Sequence, residues 1–444
     1  MIIVPKNIVT VDLKERILKN HFVQIENGII IRIAKNDESI FKKYKGELYR
    51  FENLTLIPGF VQTHIHLCQT LFRGLADDLE LLNWLQLKIF PFENAHNKNS
   101  LRASVRLGIN ELLLSGTTTL LDMGTLHHQE IIFDELLNSG MRAFAGKCLI
   151  DENDLFPEFK STTKSELNEI YELAKTFHNS SNGKIKYGFA PRFVLSCSEE
   201  LLKESFEMKK DFEGSLYHTH SSENKDEVAE VRRRHNKENI EYFHSIGVID
   251  DHSVLAHCIH VNDKEADLLK EKDVRVSHCP SSNLKLGSGI ANIPKYLGKG
   301  ISVSLGSDGA PCNNNLSIFN EMRLAALIQK PIHGAREMDA KSVFKLATIE
   351  GARALHLQNE IGSIEVGKKA DLVLLDLSSN THSLYNEESV YSDVVYSSTS
   401  NSVNSVMIEG EWKILNKTSF LYDQNELRKN SEEELKKLIK RVGK

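Results

Sequence analysis

The chain has 444 residues, of which 41% are hydrophobic and 26% are charged, and its formal net charge is −6. This length suits one barrel-sized domain with an accessory module and excludes a single small domain. The net negative charge gives no indication of a basic patch. It therefore argues against nucleic-acid and membrane binding and favours a small-molecule partner.

The first residues, MIIVPKNIVTVDLKERI, alternate like a β-strand and lack the basic region and apolar core of a signal peptide. No apolar run approaches the ~18 residues of a membrane span. The six cysteines are scattered and form no CxxC pair, which predicts reduced thiols and no disulfide framework. We therefore expect a cytoplasmic protein.

Residues 1–57 contain short β patterns separated by turn signals such as Asn27-Gly28. Strands are expected near residues 2–4, 8–11, 22–25 and 29–31. These strands alone are too few to bury a core, so they predict one part of a small β-sandwich.

From Pro58 to residue 358, short apolar strands alternate with helical patterns such as residues 100–115 and 165–177. The eight predicted strands cover residues 56–62, 117–122, 142–147, 185–190, 215–219, 253–257, 274–277 and 302–306. Eight strand-and-helix units of this kind predict an α/β fold, a (β/α)8 TIM-type barrel.

Strand patterns return in residues 359–424, at 370–377, 403–409 and 411–415. Because neither β-rich end can bury a core alone, we expect the two ends to form one composite β-sandwich domain beside the barrel. Residues 425–444 predict a charged, solvated C-terminal helix.

The sharpest local signal is PGFVQTHIH, in which an apolar strand leads into His64 and His66. Residues i and i+2 of a strand point the same way, so both imidazoles converge on one point. In enzymes with a (β/α)8 barrel, the active site lies at the carboxyl ends of the strands. The pair alone is weak evidence for a metal.

Polar side chains also occur at the carboxyl ends of later predicted strands. They are His220 and Glu223 after the fifth strand, His257 after the sixth and Asp308 after the eighth. Each alone would more often be a hydrogen-bonded core histidine or a helix-capping aspartate. Together they offer histidine nitrogen and carboxylate oxygen, which suit one divalent ion such as Zn²⁺ or Fe²⁺.

This inventory predicts hydrolysis. We expect Asp308 to accept the proton of the attacking water, and His257 to orient that water or polarise the attacked group. Glu223 lies three residues beyond His220 and is placed to protonate a ring nitrogen. Expulsion of ammonia from an aromatic amine needs that proton, so Glu223 indicates a deaminase.

These residues resemble the amidohydrolase superfamily, in its branch of purine and s-triazine aminohydrolases. The resemblance covers nearly the whole chain through PGFVQTHIH, HTHSSEN, LAHC, HCPSSNLKLGSGI, GSDGAPCNNNLSIFNEMRLAALIQK and EIGSIEVGKKADLVLLDL. It implies a β module beside the barrel and one divalent metal, with zinc expected and iron or manganese as alternatives. The implied metal ligands are His64, His66, His220 and Asp308. The implied acid–base residues are Glu223, His257 and Asp308.

Within that branch, HIHLCQTLFRGLADDLELLNWLQ and GSDGAPCNNNL look most like deaminases of 5'-deoxyadenosine, methylthioadenosine and S-adenosylhomocysteine. Their base- and ribose-binding residues correspond to Trp84 and Glu93. The resemblance therefore implies release of ammonia from the 6-amino group of a 5'-modified adenosine.

Other segments resemble guanine deaminase, in which the glutamine and arginine matching Gln69 and Arg192 bind the purine. Phe193 belongs to the same Pro-Arg-Phe segment. Many adenosine-type deaminases carry histidine where Arg192 stands, so guanine remains the alternative substrate and an s-triazine or another amino-heterocycle a third.

A non-catalytic assembly protein on the same scaffold is the alternative outside the enzymes; it is disfavoured because the expected ligands and Glu223 are present. By analogy with such families we expect a homo-oligomer, a dimer or tetramer.

Overall fold

The computed structural model describes residues 1–378 and 389–443. The predicted β segment 359–424 therefore includes ten residues, 379–388, that lie outside the described residues, as does Lys444 of the predicted terminal helix. Within these ranges, the helices are too short or too polar to span a lipid bilayer. Each of the six cysteines is a buried free thiol.

The described strands form two sheets. The strands are β1 (Ile2–Val9), β2 (Ile17–Lys19), β3 (His21–Glu26), β4 (Ile29–Lys35), β5 (Leu48–Pro58), β6 (Phe60–His66), β7 (Thr117–Asp122), β8 (Arg142–Ala145), β9 (Cys148–Leu149), β10 (Ile185–Pro191), β11 (Leu216–Ser221), β12 (Ser253–His257), β13 (Arg275–His278), β14 (Val303–Leu305), β15 (Asp308–Gly309), β16 (Leu372–Leu375), β17 (Val403–Ile408), β18 (Glu411–Leu415) and β19 (Thr418–Ser419).

Helices separate most strands of the central segment. They are α1 (Glu38–Lys43), α2 (Leu81–Trp84), α3 (Phe90–Asn94), α4 (Lys98–Leu114), α5 (Gln129–Ser139), α6 (Thr163–Phe177), α7 (Ser180–Gly183), α8 (Glu199–Lys209), α9 (Lys225–His235), α10 (Asn239–Ile246), α11 (Asp263–Glu271), α12 (Pro280–Lys285), α13 (Ile293–Gly298), α14 (Ala310–Asn313), α15 (Ile318–His333), α16 (Ala340–Leu346), α17 (Ile349–Ala354), α18 (Val390–Ser392) and α19 (Gln424–Val442).

The central sheet is a curled sheet of parallel strands. Its order is β14-β13-β12-β11-β10-β8-β7-β6-β15, with β9 paired to β10. β15 follows β14 directly in the chain and pairs with β6, at Asp308 with Ile65. The arrangement is consistent with a TIM-type barrel, and it brings the carboxyl ends of all these strands to one face.

The predicted first barrel strand, residues 56–62, is divided between two elements. β5 ends at Pro58 and belongs to the other sheet, while β6 begins at Phe60 and runs through His66. The bend at Pro58-Gly59 separates them. Glycine is needed at this bend, because any side chain at position 59 would collide with Thr118. His64 and His66 are therefore part of a strand and do not follow one.

The second sheet contains strands from both ends of the described chain. Its order is β19-β18-β17-β16-β5-β1-β3-β4, with β2 paired to β1. β5 joins the two ends, because it pairs in parallel with β1 and antiparallel with β16. A buried ion pair connects this sheet to the barrel: Arg142 of β8 donates from Nε to Asp371 Oδ2 at 3.0 Å, just before β16.

The C-terminal helix α19 differs from the solvated helix expected. Leu427 and Leu438, together with Ser431 and Glu434, are buried, and Leu438 belongs to the main hydrophobic core. Their spacing of three and four residues places them on one face. The remaining charged residues give the helix its polar appearance in sequence, although one face of it packs against the barrel.

Candidate metal centre and active site

β6 carries two adjacent imidazoles on one face. His64 and His66 are both buried, and their ring centroids are 5.0 Å apart. The alternation of a strand accounts for this convergence, as the sequence predicts. Both lie at the carboxyl end of β6, where loops from neighbouring strands meet.

The tertiary structure brings His220 of β11 and Asp308 of β15 to the same point. His66 Nε2 lies 3.2 Å from His220 Nε2. Asp308 Oδ1 lies 3.2 Å from His64 Nε2 and 3.3 Å from His66 Nε2. His257 completes the group, because ligand atoms of His64, His220, His257 and Asp308 all lie within 4.8 Å of one another.

These spacings fit a divalent metal. Ligand atoms held ~2.0–2.1 Å from a tetrahedral zinc are about 3.3 Å from each other, close to the separations that join His66 with His220 and each β6 histidine with Asp308. The donors are imidazole nitrogen and carboxylate oxygen, which suit zinc and comparable ions. The residues present therefore fit such an ion.

Hydrogen bonds from neighbouring elements orient the imidazoles. His220 Nδ1 donates to the carbonyl oxygen of Arg192 at 2.6 Å, which leaves the Nε2 lone pair directed at the centre. Nδ1 of His257 lies 2.8 Å from Oδ1 of Asn283. Burial lowers the pKa of both His66 and His220 well below the ordinary value, so both rings are neutral and able to bind a cation.

Asp308 is fixed from two sides. Ser282 Oγ donates to Oδ2 at 2.6 Å, and the Gly309 backbone N–H donates to Oδ1 at 2.7 Å. Burial alone would raise the pKa of Asp308, but the hydrogen bond and charge of His64, reinforced by His257, hold it well below the ordinary range. The group is a carboxylate that faces three imidazoles.

Glu223 stands at the other side of the centre, in the turn between β11 and α9. Its Oε2 lies 3.5 Å from His257 Nε2. The capping box of α9 holds this turn, because Glu227 accepts hydrogen bonds from the backbone N–H groups of Glu223 and Asn224. Burial raises the pKa of Glu223 well above its ordinary value, and the charge of Asp308 adds to the effect.

Three residues beside the centre have left-handed backbones although none is glycine. The φ angles are 53° at Ser222, 72° at His257 and 60° at Asp308. Such conformations are disfavoured for residues with a Cβ and concentrate where surrounding structure enforces them, often in active sites. Here they turn the chain sharply at the ends of β11 and β12 and at the start of β15.

Four of the five residues proposed only for substrate binding line the cavity beside this centre: Gln69, Trp84, Arg192 and Phe193. Glu93 is buried behind them and bonds to two of them. Its Oε1 accepts from Gln69 Nε2 at 2.7 Å, and its Oε2 accepts from Arg192 Nη1 at 2.7 Å. Burial opposes the charge of Arg192, but Glu93 outweighs burial and raises the guanidinium pKa further above its ordinary value.

Sequence reasoning missed three supporting residues. His218 Nε2 lies 2.8 Å from His64 Nδ1, while Ser282 and Asn283 of α12 hold Asp308 and His257. His218 and His220 repeat the i, i+2 spacing of His64 and His66, which was an available signal. The serine and asparagine in HCPSSN carried no comparable signal, since their partners are distant in sequence.

A curled parallel sheet with a histidine–aspartate centre at its carboxyl end defines a metal-dependent hydrolase. Residues 55–413 match the Amidohydrolase family. The match extends over most of the chain, and the protein belongs to this family.

Two relatives are similar over most of their length. The first is "5-methylthioadenosine/S-adenosylhomocysteine deaminase" of Thermoanaerobacter pseudethanolicus, 34% identical across 98% of this chain and 99% of the relative. The second is "5'-deoxyadenosine deaminase" of Methanothermobacter thermautotrophicus, 39% identical across 80% of this chain and 81% of the relative.

Solved structures extend the comparison. An adenosine deaminase from Xanthomonas campestris with bound zinc has a TM-score of 0.92 and 28% identity, over 99% of this chain and 98% of that one. Guanine deaminase from C. acetobutylicum, with guanine in its active site, has a TM-score of 0.84 and 27% identity, over 93% and 99% of the two chains.

Proposed function

We propose that the protein is a zinc-dependent aminohydrolase that releases ammonia from the 6-amino group of a 5'-modified adenosine. The observation that carries the deaminase assignment is Glu223, a buried carboxyl group of raised pKa at the edge of the metal centre. A carboxyl group that holds its proton near neutral pH is suited to protonate a ring nitrogen.

His64, His66, His220 and Asp308 would hold the ion. A bound zinc would lower the pKa of a water molecule and offset the negative charge on its oxygen as it attacks the ring carbon. Asp308, kept as a carboxylate, would accept the proton of the attacking water and pass it to the amino group, which leaves as ammonia. Glu223 protonates the ring nitrogen, and His257, fixed by Asn283, orients the water and the amino group that leaves.

A 5'-modified nucleoside is supported by the names of the two similar relatives and by the space beside the centre. A cavity of about 370 Å³ adjoins the active site at Phe193, which lines both. Its walls include apolar residues such as Leu82 and Leu155, with Arg233 and Arg234 at the polar side. A substituent extending from a bound purine nucleoside would enter this space.

Guanine is the second candidate substrate. Gln69, Glu93 and Arg192 form a buried hydrogen-bonded group beside the centre, and Oε1 of Gln69 has no hydrogen-bond partner among the described residues. Such a group could bind the edge of a free purine. Glu93 would then orient Gln69 and Arg192 and would not bind ribose. An s-triazine or another amino-heterocycle is the third candidate.

The two sheets support the domain organisation that we propose: residues 58–358 as a closed (β/α)8 barrel, with 1–57 and 359–424 as one composite β-sandwich and 425–444 as a terminal helix. The pairing of β5 with both β1 and β16 favours one module built from the two ends. The pairing of β15 with β6 favours barrel closure.

The deciding experiment measures ammonia release from 5'-deoxyadenosine, methylthioadenosine, S-adenosylhomocysteine, adenosine, guanine and 8-oxoguanine, using purified zinc-loaded enzyme. We expect the highest kcat/KM among the 5'-modified adenosines. Turnover of guanine with no adenosine derivative would replace the first assignment by the second. Turnover of none of the six would reject both.

A further inference from the structure

The end of the C-terminal helix reaches the helices that flank the active-site cavity. Arg441, in the last turn of α19, donates from Nε to the carbonyl oxygen of Ala95 at 2.7 Å. It also donates from Nη2 to Ser100 Oγ at 2.8 Å. These contacts join residues nearly 350 positions apart in sequence.

Ala95 is the C-cap residue that directly follows α3. The last carbonyls of a helix have no partner within the helix, and a cationic side chain beside them both bonds to the oxygen and offsets the helix dipole. Arg441 supplies that partner. It therefore fixes the carboxyl end of α3, the helix that carries Glu93.

Ser100 is linked to the backbone of Cys68 by hydrogen bonds through His96. Nδ1 of His96 lies 3.0 Å from Ser100 Oγ, and its Nε2 lies 2.8 Å from the carbonyl oxygen of Cys68. A carbonyl oxygen only accepts, so Nε2 carries the imidazole proton and Nδ1 accepts from the serine hydroxyl. Burial lowers the pKa of His96 to about 4, which keeps the ring neutral.

The bonds thus run in one direction, from Arg441 to Ser100, to His96 and to the carbonyl of Cys68. Ser100 Oγ accepts from Arg441 and from the backbone N–H of Asn97. Its hydroxyl hydrogen faces His96 Nδ1 at 3.0 Å and the two oxygens of Asn97 at 3.1 and 3.2 Å, and His96 is the nearest of the three acceptors. Cys68 stands between His66 and Gln69, in the 3₁₀-helical segment Leu67–Phe72. Arg441 therefore supports the backbone on both sides of the Gln69–Glu93 hydrogen bond, and Ser104 Oγ, which donates to the same Cys68 carbonyl, is a second support on the Gln69 side.

We propose that Arg441 is a positioning residue that sets the placement of Gln69 and Glu93 for substrate binding without touching the substrate. The inference rests on the proposed function only for the choice of substrate. It predicts that loss of Arg441 weakens binding more than turnover, because His220 and Asp308 keep their own hydrogen bonds to Arg192 and Ser282.

The test compares Arg441→Met with Arg441→Lys and with Arg428→Met, all as zinc-loaded protein. Arg428 lies on the same helix, exposed and paired with Glu432, so it is a matched control. With the best substrate of the panel, Arg441→Met should raise KM about tenfold, because Gln69 and Glu93 are then less well placed to bind it, while kcat and zinc content stay unchanged. Arg441→Lys should recover most of the loss, and Arg428→Met should match the wild type.

Amide hydrogen exchange gives a readout that needs no substrate. Arg441→Met should increase exchange in residues 67–72 and 90–96 and leave β17 (Val403–Ile408) unchanged. An unchanged KM, or exchange that rises equally throughout the chain, would overturn the inference. If no adenosine derivative is turned over, the proposed function fails, and exchange in these two segments still decides the role of Arg441.

Discussion

Nε2 of His66 and Nε2 of His220 face each other at 3.2 Å, although the two residues are 154 positions apart in sequence. His220 donates through its other nitrogen to a backbone carbonyl, so its facing nitrogen is unprotonated. Burial lowers the pKa of both imidazoles well below the ordinary value. Two neutral nitrogens held in this way, beside Asp308, form an arrangement that a divalent cation stabilises.

Removal of the metal should abolish activity and lower the melting temperature. A cation that binds only the folded protein stabilises it, so its removal lowers the melting temperature. The neutral imidazoles and Asp308 then face one another with no positive charge between them. Chelator-treated protein should regain activity and melting temperature when zinc is restored, at about one ion per chain, the stoichiometry of a mononuclear site. Elemental analysis and thermal unfolding provide the measurements. Full activity of metal-free protein would contradict the assignment.

Glu223→Gln should retain the metal and lose most turnover. The amide keeps the size of the side chain but cannot transfer a proton, so kcat should fall at least about 100-fold. The measurement is ammonia release at saturating substrate, with zinc content determined in the same preparation. Glu204→Gln, the same change at an exposed carboxylate of α8, is the control and should remain active. A Glu223→Gln enzyme with near-wild-type turnover would remove the proposed proton transfer.

Asp308→Asn should abolish activity with every substrate. The carboxylate is the group that three imidazoles face and the proposed acceptor of the water's proton. Ser282→Ala removes only the hydroxyl that donates to Asp308 Oδ2, so it should reduce kcat less than Asp308→Asn. An active, metal-replete Asp308→Asn protein would refute this role.

Ala229→Trp should discriminate among 5'-substituents. Ala229 lines the cavity of about 370 Å³ that adjoins the active site at Phe193, and an indole there would occupy the space. We expect kcat/KM for S-adenosylhomocysteine to fall about tenfold, in line with a loss of ~1.4 kcal/mol of binding, while 5'-deoxyadenosine is unaffected. Ala229→Ser is the control. An equal loss for both substrates would show that the cavity does not receive the substituent.

Asp371→Asn should destabilise the fold without touching the metal centre. It leaves Arg142 buried without its carboxylate partner, a change that typically lowers the free energy of unfolding by about 3 kcal/mol. Chemical denaturation followed by circular dichroism measures the effect. Adding Arg142→Met should recover part of the loss, because the uncompensated buried charge is then removed. A double variant less stable than the single one would show that the charge is not the cause.

The sequence by itself determined those features that depend on residues close together along the chain. Strand alternation placed His64 and His66 on one face, and the β7 and β12 strands were predicted with the bounds observed. Periodicity and capping depend on residues close together in sequence, so they can be predicted without knowledge of the fold. The identity of the residues also suggested the chemistry, since imidazole and carboxylate at strand ends favour a divalent metal.

The tertiary structure decided what depends on contact between distant segments. Only folding brings Asn283 to His257, pairs Glu93 with Arg192, and divides residues 56–62 between two sheets at Pro58. The polar residues of α19 predicted a solvated helix, yet Leu438 is buried and Arg441 contacts Ala95. Such contacts depend on the order in which strands and helices pack, and no local pattern encodes that order.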